Sequence, residues 1–159
     1  MYTSKKLTTM DQNLNPASLR WTNTDSRLSA ETFGRPATEI EMDCHLCLMQ
    51  GETMRGWRVN ALWDTGSSIT VVSPVVAAKM RLIPIGDMNM NGLGGKQKAW
   101  KSKCYLRFPN GKFCGPIVVA VHELPSVDVL IGMDVISIGK LTIERKPDGG
   151  TRFTFDLNT

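Results

Sequence analysis

From Glu39 onward the chain alternates apolar and polar residues with a period of two. Ile40, Met42, Cys44, Leu46 and Leu48 are separated by Glu41, Asp43, His45 and Cys47, the pattern of a half-buried strand. Gln50-Gly51-Glu52 marks a turn, and Trp57, Val59, Ala61 and Trp63 then alternate up to Asp64. Ile69 to Ser73 is a further β-rich run. Ser73 followed by Pro74 and VVAAKMRL supplies an N-cap and a proline at the first helical position, which predicts a short helix. Met88 to Gly95 is polar and glycine-rich, a loop or hairpin tip. Cys104 to Phe108 and Lys112 to His122 flank Pro109-Asn110-Gly111, and Asn-Gly between two strand-like runs signals a hairpin. Val127 to Ile131 reads as a buried strand and Met133 to Ile138 as one or two helical turns closed by Gly139. Leu141 and Ile143, then Asp148-Gly149-Gly150, then Phe153, Phe155 and Leu157 predict a closing hairpin. Many short strands with one or two short helices place the chain in the all-β class, with a closed or folded-over β-barrel.

Residues 1–38 look different. They are rich in Thr, Ser, Asn and Pro and hold no period, so they read as a flexible N-terminal tail or leader, with the domain proper at 39–159. A length of 159 residues with 42% hydrophobic and 21% charged residues suits one globular domain whose core needs no covalent staples. The net charge of +4 comes without a Lys/Arg block or an aromatic-basic stripe, so a nucleic-acid partner is not expected. No apolar stretch follows the basic residues near the N-terminus, and no segment approaches a membrane span, so no membrane partner is expected. Four cysteines without a secretory signal suggest free thiols in a reducing compartment, and the expected location is cytoplasmic.

The stretch that carries chemistry is Ala61-Leu62-Trp63-Asp64-Thr65-Gly66-Ser67-Ser68-Ile69. An acid sits at the end of an apolar strand, and a Thr, a Gly and two Ser follow at once. A carboxylate in such a place needs hydrogen-bond donors to keep its charge. Hydroxyls and backbone N–H groups are available within three residues, and Gly66 lets the chain turn so that its amide faces the acid. An Asx-type turn between strands is the plain alternative for the triplet alone.

The context is more specific. Asp64-Thr65-Gly66-Ser67 resembles the active-site loop of aspartic peptidases. Val129-Leu130-Ile131-Gly132-Met133-Asp134 resembles that family's second signature, in which two apolar residues and a Gly open a short helix. Asn91-Gly92-Leu93-Gly94-Gly95 stands between them, where retroviral-type members carry a glycine-rich flap. Order and spacing resemble the retropepsin-like family across roughly residues 39–145. The resemblance implies a barrel of the acid-protease type and an aspartic endopeptidase that uses no cofactor and no metal. It implies that Asp64 is the catalytic acid/base, that Thr65 locks the loops across a dimer and that Gly66 lines the floor. Ser67 completes the active-site loop, and Gly92, Leu93, Gly94 and Gly95 form a flap over an extended peptide or protein substrate. Leu130, Ile131, Gly132 and Asp134 support the loop. Only one Asp-Thr-Gly is present, whereas the chemistry takes two carboxylates sharing a proton, so a homodimer is expected to bring two Asp64 together. A dimeric peptide-binding adaptor with weak catalysis is the second class, and trimming of residues 1–38 by the domain itself a third possibility.

Three positions depart from the family pattern. Ser67 stands where many retroviral enzymes have Ala, and a hydroxyl donating to the carboxylate is expected to extend activity to lower pH. Met133 and Ser68 stand where an Arg and its Asp partner often pair, and both partners are absent together. Cys44-His45-Leu46-Cys47 resembles a metal or redox motif, but residues three apart on a strand point to opposite faces and no second Cys/His pair is near, so packing is the preferred reading.

Overall fold

The structure is a computed structural model that describes residues 18–157. The strands are β1 (Arg20–Trp21), β2 (Arg27–Glu31), β3 (Glu41–Gln50), β4 (Thr53–Trp63), β5 (Val71–Val72), β6 (Gly86–Gly92), β7 (Gly95–Arg107), β8 (Phe113–Val121), β9 (Val129–Ile131), β10 (Gly139–Arg145) and β11 (Thr151–Leu157). The helices are α1 (Pro74–Met80), between β5 and β6, and α2 (Met133–Ile136), between β9 and β10. Ser73 caps α1 by accepting from Val76 N, and Pro74 opens it, as the sequence predicts.

Six strands close a mixed barrel in the order β3-β4-β9-β5-β8-β7, with β7 returning to β3. β9 is the pivot of this arrangement. It pairs in parallel with β4 and antiparallel with β5, so the two strands that flank the Asp64 loop both meet a segment far along the chain. Its Val129 and Ile131, on one face, are fully buried, and Leu130 on the other is half-buried. β6 extends the sheet outward as a hairpin with β7. The expected all-β class, closed barrel and two short helices are therefore found. Among the described residues, no helix is long and apolar enough to cross a membrane.

A second sheet runs β1-β2-β11-β10. It corrects the reading of 1–38 as a tail. Within that range, β2 pairs with β11, and Leu28 and Ala30 are completely buried. The cause lies far along the chain, because β11 offers Phe153 opposite Ala30 and Phe155 opposite Leu28. Five residues are too few to announce a period by themselves. Salt bridges of 2.7 Å from Arg27 to Asp156 and from Arg152 to Glu31 flank the pairing. Residues 1–17, the rest of that range, lie outside the described residues. The two sheets meet through Trp63, whose ring lies 4.8 Å from Phe155 and 5.2 Å from Phe153. The strand that leads to Asp64 is thus anchored in the centre of the core.

Candidate active site

β4 ends at Trp63, and Asp64 is the first residue beyond it. Its backbone N–H donates to Ile131 O at 2.9 Å, so the loop leaves the barrel where the β4–β9 pairing stops. The chain then folds back on the acid. Gly66 N donates to Asp64 Oδ1 at 2.8 Å, and Ser67 N donates to Asp64 O at 3.3 Å. A Cβ at position 66 would sit 3.1 Å from that same Oδ1, so glycine leaves room for the carboxylate. Asp64 is half-buried, while Thr65, Gly66 and Ser68 are exposed. The loop presents its acid at the surface of a single chain.

Ser67 behaves differently from expectation. Its hydroxyl donates to Ile69 O at 2.7 Å, closing the loop on itself, and is not bonded to the Asp64 carboxylate. The proton assigned to tuning the acid is spent on holding the turn.

The loop's second anchor is the start of α2. Met133 N donates to Ser67 O at 2.7 Å. Thr70 Oγ1 accepts from Gly132 N at 3.2 Å and donates to Asp134 Oδ1 at 2.8 Å. Asp134 Oδ2 accepts from Thr70 N at 3.0 Å, and its Oδ1 accepts from Val135 N at 2.9 Å in the first turn of the helix. These bonds occupy both oxygens of Asp134. At Gly132 a Cβ would lie 2.5 Å from Ile69 O, an overlap that only a backbone shift could relieve. Ile131 is buried in the main core and Leu130 is half-buried beside Ile69. Leu130, Ile131, Gly132 and Asp134 thus lie next to the segment 64–70, through hydrogen bonds or packing. Thr70, completely buried, was missed by sequence reasoning. The only local sign is a lone hydroxyl in an apolar run; its partner lies 64 residues away.

The glycine-rich segment is mostly strand. β6 and β7 pair until Asn91 faces Lys96 and Gly92 faces Gly95, leaving Leu93-Gly94 as the tip. Gly95 has φ +91, open to glycine, and the Leu93 side chain is fully exposed. Nearer the root, Met88 and Met90 pack with Ile69 and Leu130 around buried Val71, Ala99 and Ala120. The hairpin base and the residues flanking the Asp64 loop thus share one small apolar cluster.

The Cys-His-Leu-Cys motif is built into the barrel wall. All four cysteines are free and buried. Burial pushes the Cys44 and Cys104 thiols up to about 12, so they stay protonated at neutral pH. Cys104 stands opposite Ile117 and Cys114 opposite Leu106. Among the described residues no group of three or more His, Cys, Asp or Glu gathers to hold a metal.

The family described as Aspartyl protease matches residues 52–135, just over half of the chain and spanning the Asp64 loop, the hairpin tip and Asp134. The chain belongs to the aspartyl protease family. Its fold is similar to that of a retropepsin-like aspartic protease from Rickettsia conorii. The identity is 16% and the TM-score 0.51, over 87% of this chain and 96% of that one. It also matches the EIAV protease, at 14% identity and a TM-score of 0.49, over 63% of this chain and 86% of that one. No curated protein matches it by sequence. The fold is of the retropepsin-like type, and the sequence carries one Asp-Thr-Gly.

Proposed function

We propose that this aspartyl protease is an endopeptidase whose active site forms when two copies pair and bring their Asp64 carboxylates together. The observation that carries the reading is the state of the acids in one chain. Asp64 is half-exposed beside exposed Thr65 and Gly66, and its carboxylate accepts only one N–H, from Gly66, among the described residues. The other acid of the network, Asp134, has both oxygens engaged by Thr70 and Val135. A second catalytic acid must come from elsewhere, and a two-fold axis supplies an identical one.

Two carboxylates held close cannot both stay ionised, so they share a proton. The ionised one takes a proton from water as the oxygen attacks the scissile carbonyl. The protonated one donates to the carbonyl oxygen, giving a tetrahedral gem-diol; the acid that took the water proton then passes it to the nitrogen as the C–N bond breaks, and a diol hydroxyl returns its proton to the other carboxylate, so the pair again shares one proton. This route needs neither a metal nor a covalent intermediate. Thr65 sits at the loop's exposed crest, in position to lock the two loops. Gly66 gives a floor without side chains. The hairpin tip at Gly92, Leu93, Gly94 and Gly95 closes over an extended peptide held by main-chain hydrogen bonds. The apolar cluster at the hairpin root provides Met88 and Met90 as adaptable walls for side chains next to the cut.

The test is digestion of a peptide library by the wild type and by Asp64→Asn. Loss of activity by about a thousandfold or more is expected, because the substituted dyad can neither hold nor pass the proton. Equal residual cleavage by both, with peptide still bound, would assign the chain to the adaptor class instead.

A further inference from the structure

The small apolar cluster beside the Asp64 loop runs on into a line of cations. Ala99 and Ala120 belong to the cluster. The next residue of β7 on the same face is Lys101, which stands opposite Ala120 on one side and Gly86 on the other. A Cβ at Gly86 would lie 2.9 Å from Lys101 Cε, so glycine leaves room there for the lysine stem. Lys103, Tyr105 and Arg107 follow on this face, while Ser102, Cys104 and Leu106 between them are buried on the other. The irregularity near Cys104 is carried by β8, which takes three steps from Cys114 to Ile117 against two on β7, so the alternation of β7 is unbroken. In the sequence these cations look scattered; the strand lines them up. Nothing opposite balances them. Lys103 faces Val118, Tyr105 faces Cys47, and Arg107 faces His45 and Phe113. Among the described residues none of Lys101, Lys103 and Arg107 makes a salt bridge. Arg58, opposite His45 in the same row, is by contrast paired with Asp43 at 2.7 Å. Burial, and then the charges of Arg107 and Arg58, hold the His45 imidazole below its ordinary value, so near pH 7 it is mostly neutral.

We propose that this face of β7 is a docking track, away from the cut, for an acidic stretch of the extended polypeptide substrate. This rests on the reading of the chain as an endopeptidase, and it names the class of substrate taken. Continuity favours it. The track begins in the cluster whose Met88 and Met90 are assigned to side chains next to the cut, so a polypeptide running off along β7 meets Lys101 first. Spacing favours it too. Same-face residues of a strand repeat every 7 Å or about that, so Lys101 and Lys103 match carboxylates at alternate positions of an extended peptide. From Lys101 to Arg107 the track is about 20 Å long, room for six or seven extended residues. Unpaired cations with Val118, 39% exposed, as an apolar shoulder suit glutamate or aspartate set among small side chains. Single-stranded nucleic acid fits less well, because it needs open aromatic faces for its bases. Here Tyr105 is half-buried, and the Arg107 guanidinium covers the Phe113 ring, 5.9 Å from its centre.

Binding and cleavage test the track separately. The probe is a fluorescent peptide of alternating Glu and Thr, titrated with the full-length protein, and its binding should fall steeply with salt. Lys103→Glu should weaken binding by about fivefold or more. Lys98→Glu makes the same change in net charge at an exposed position on the opposite face of the same strand, facing Asn89, and should weaken it by less than about twofold. Lys103→Gln should act in the same direction if the charge reversal disturbs the fold. The peptide should also raise the pKa of the His45 imidazole, read by NMR, because carboxylates then face Arg107. In cleavage, the Glu-Thr stretch is joined to either end of a peptide that the wild type cuts. At one end it should lower KM about fivefold with kcat little changed, and Lys103→Glu should remove that gain. Equal weakening by Lys98→Glu and Lys103→Glu would reduce the effect to net charge and overturn the track. Tighter binding of an oligodeoxythymidylate, with the same dependence on Lys103, would overturn it in favour of nucleic acid. Cleavage that gains nothing from the acidic stretch at either end would overturn the track and leave the endopeptidase reading intact. Binding that depends on Lys103 in a protein that cuts no peptide would remove the endopeptidase reading, and with it the substrate role of the track.

Discussion

At Ser67 the hydroxyl donates to the Ile69 carbonyl at 2.7 Å and not to the Asp64 carboxylate. The consequence can be measured. Ser67→Ala should leave the acidic limb of the pH–rate profile where it is, since no proton on the carboxylate is lost. It should lower stability by about 1 kcal/mol, the usual net worth of one hydrogen bond. An upward move of the acidic limb in Ser67→Ala would restore the direct contact. The roles legible from sequence at this scale are those decided by neighbours in the chain. Gly66 N meeting Asp64 Oδ1 is such a case, because two residues of separation leave little freedom. Thr70 with Asp134 was not legible, because nothing local indicates that a hydroxyl just before one strand will bond Gly132 and Asp134 at the start of the helix that follows another. The barrel's pairing of β9 with both β4 and β5 creates that contact.

Elements with strong local signals were readable to within a few residues: the Ser73-Pro74 helix start, the Asn110-Gly111 hairpin and the closing β10–β11 hairpin all appear. β2 was missed because its stability comes from β11, more than a hundred residues away. That dependence carries a pH signature. Hydrogen bonding from Arg27 holds the Asp156 carboxyl below its ordinary value, and bonds from Arg152 and then Lys146 do the same for Glu31. A carboxyl whose value is depressed by folding stabilises the folded form above its unfolded value, and that contribution is lost as pH falls through the folded one. The pairing of β2 with β11 should therefore be at full strength at neutral pH and weaken below about pH 4. Because these groups are exposed, the loss is modest and screened by salt. Hydrogen exchange at Leu28 and Ala30, corrected for the intrinsic rate, should rise on acidification more than exchange at Val129 in the barrel. Arg27→Gln should reduce the difference. Equal protection of both elements across this range would show that the ion pairs do not hold the strand.

For the whole molecule, the proposed function gives each chain half of a reaction. A dyad of that kind requires two intact Asp64 residues in one assembly, so activity would count pairs of chains and not chains. Mixing exposes this more cleanly than dilution, because total protein and substrate can be held while the composition changes. An excess of Asp64→Asn chain, given time to exchange, captures wild-type chains in mixed pairs with a single competent acid. With random pairing, a tenfold excess should cut the wild-type activity roughly tenfold, although the added chain retains every contact of the interface and of the flap. A monomeric enzyme would respond only through competition for peptide, which saturating substrate removes. No inhibition by Asp64→Asn would mean that one Asp64 suffices.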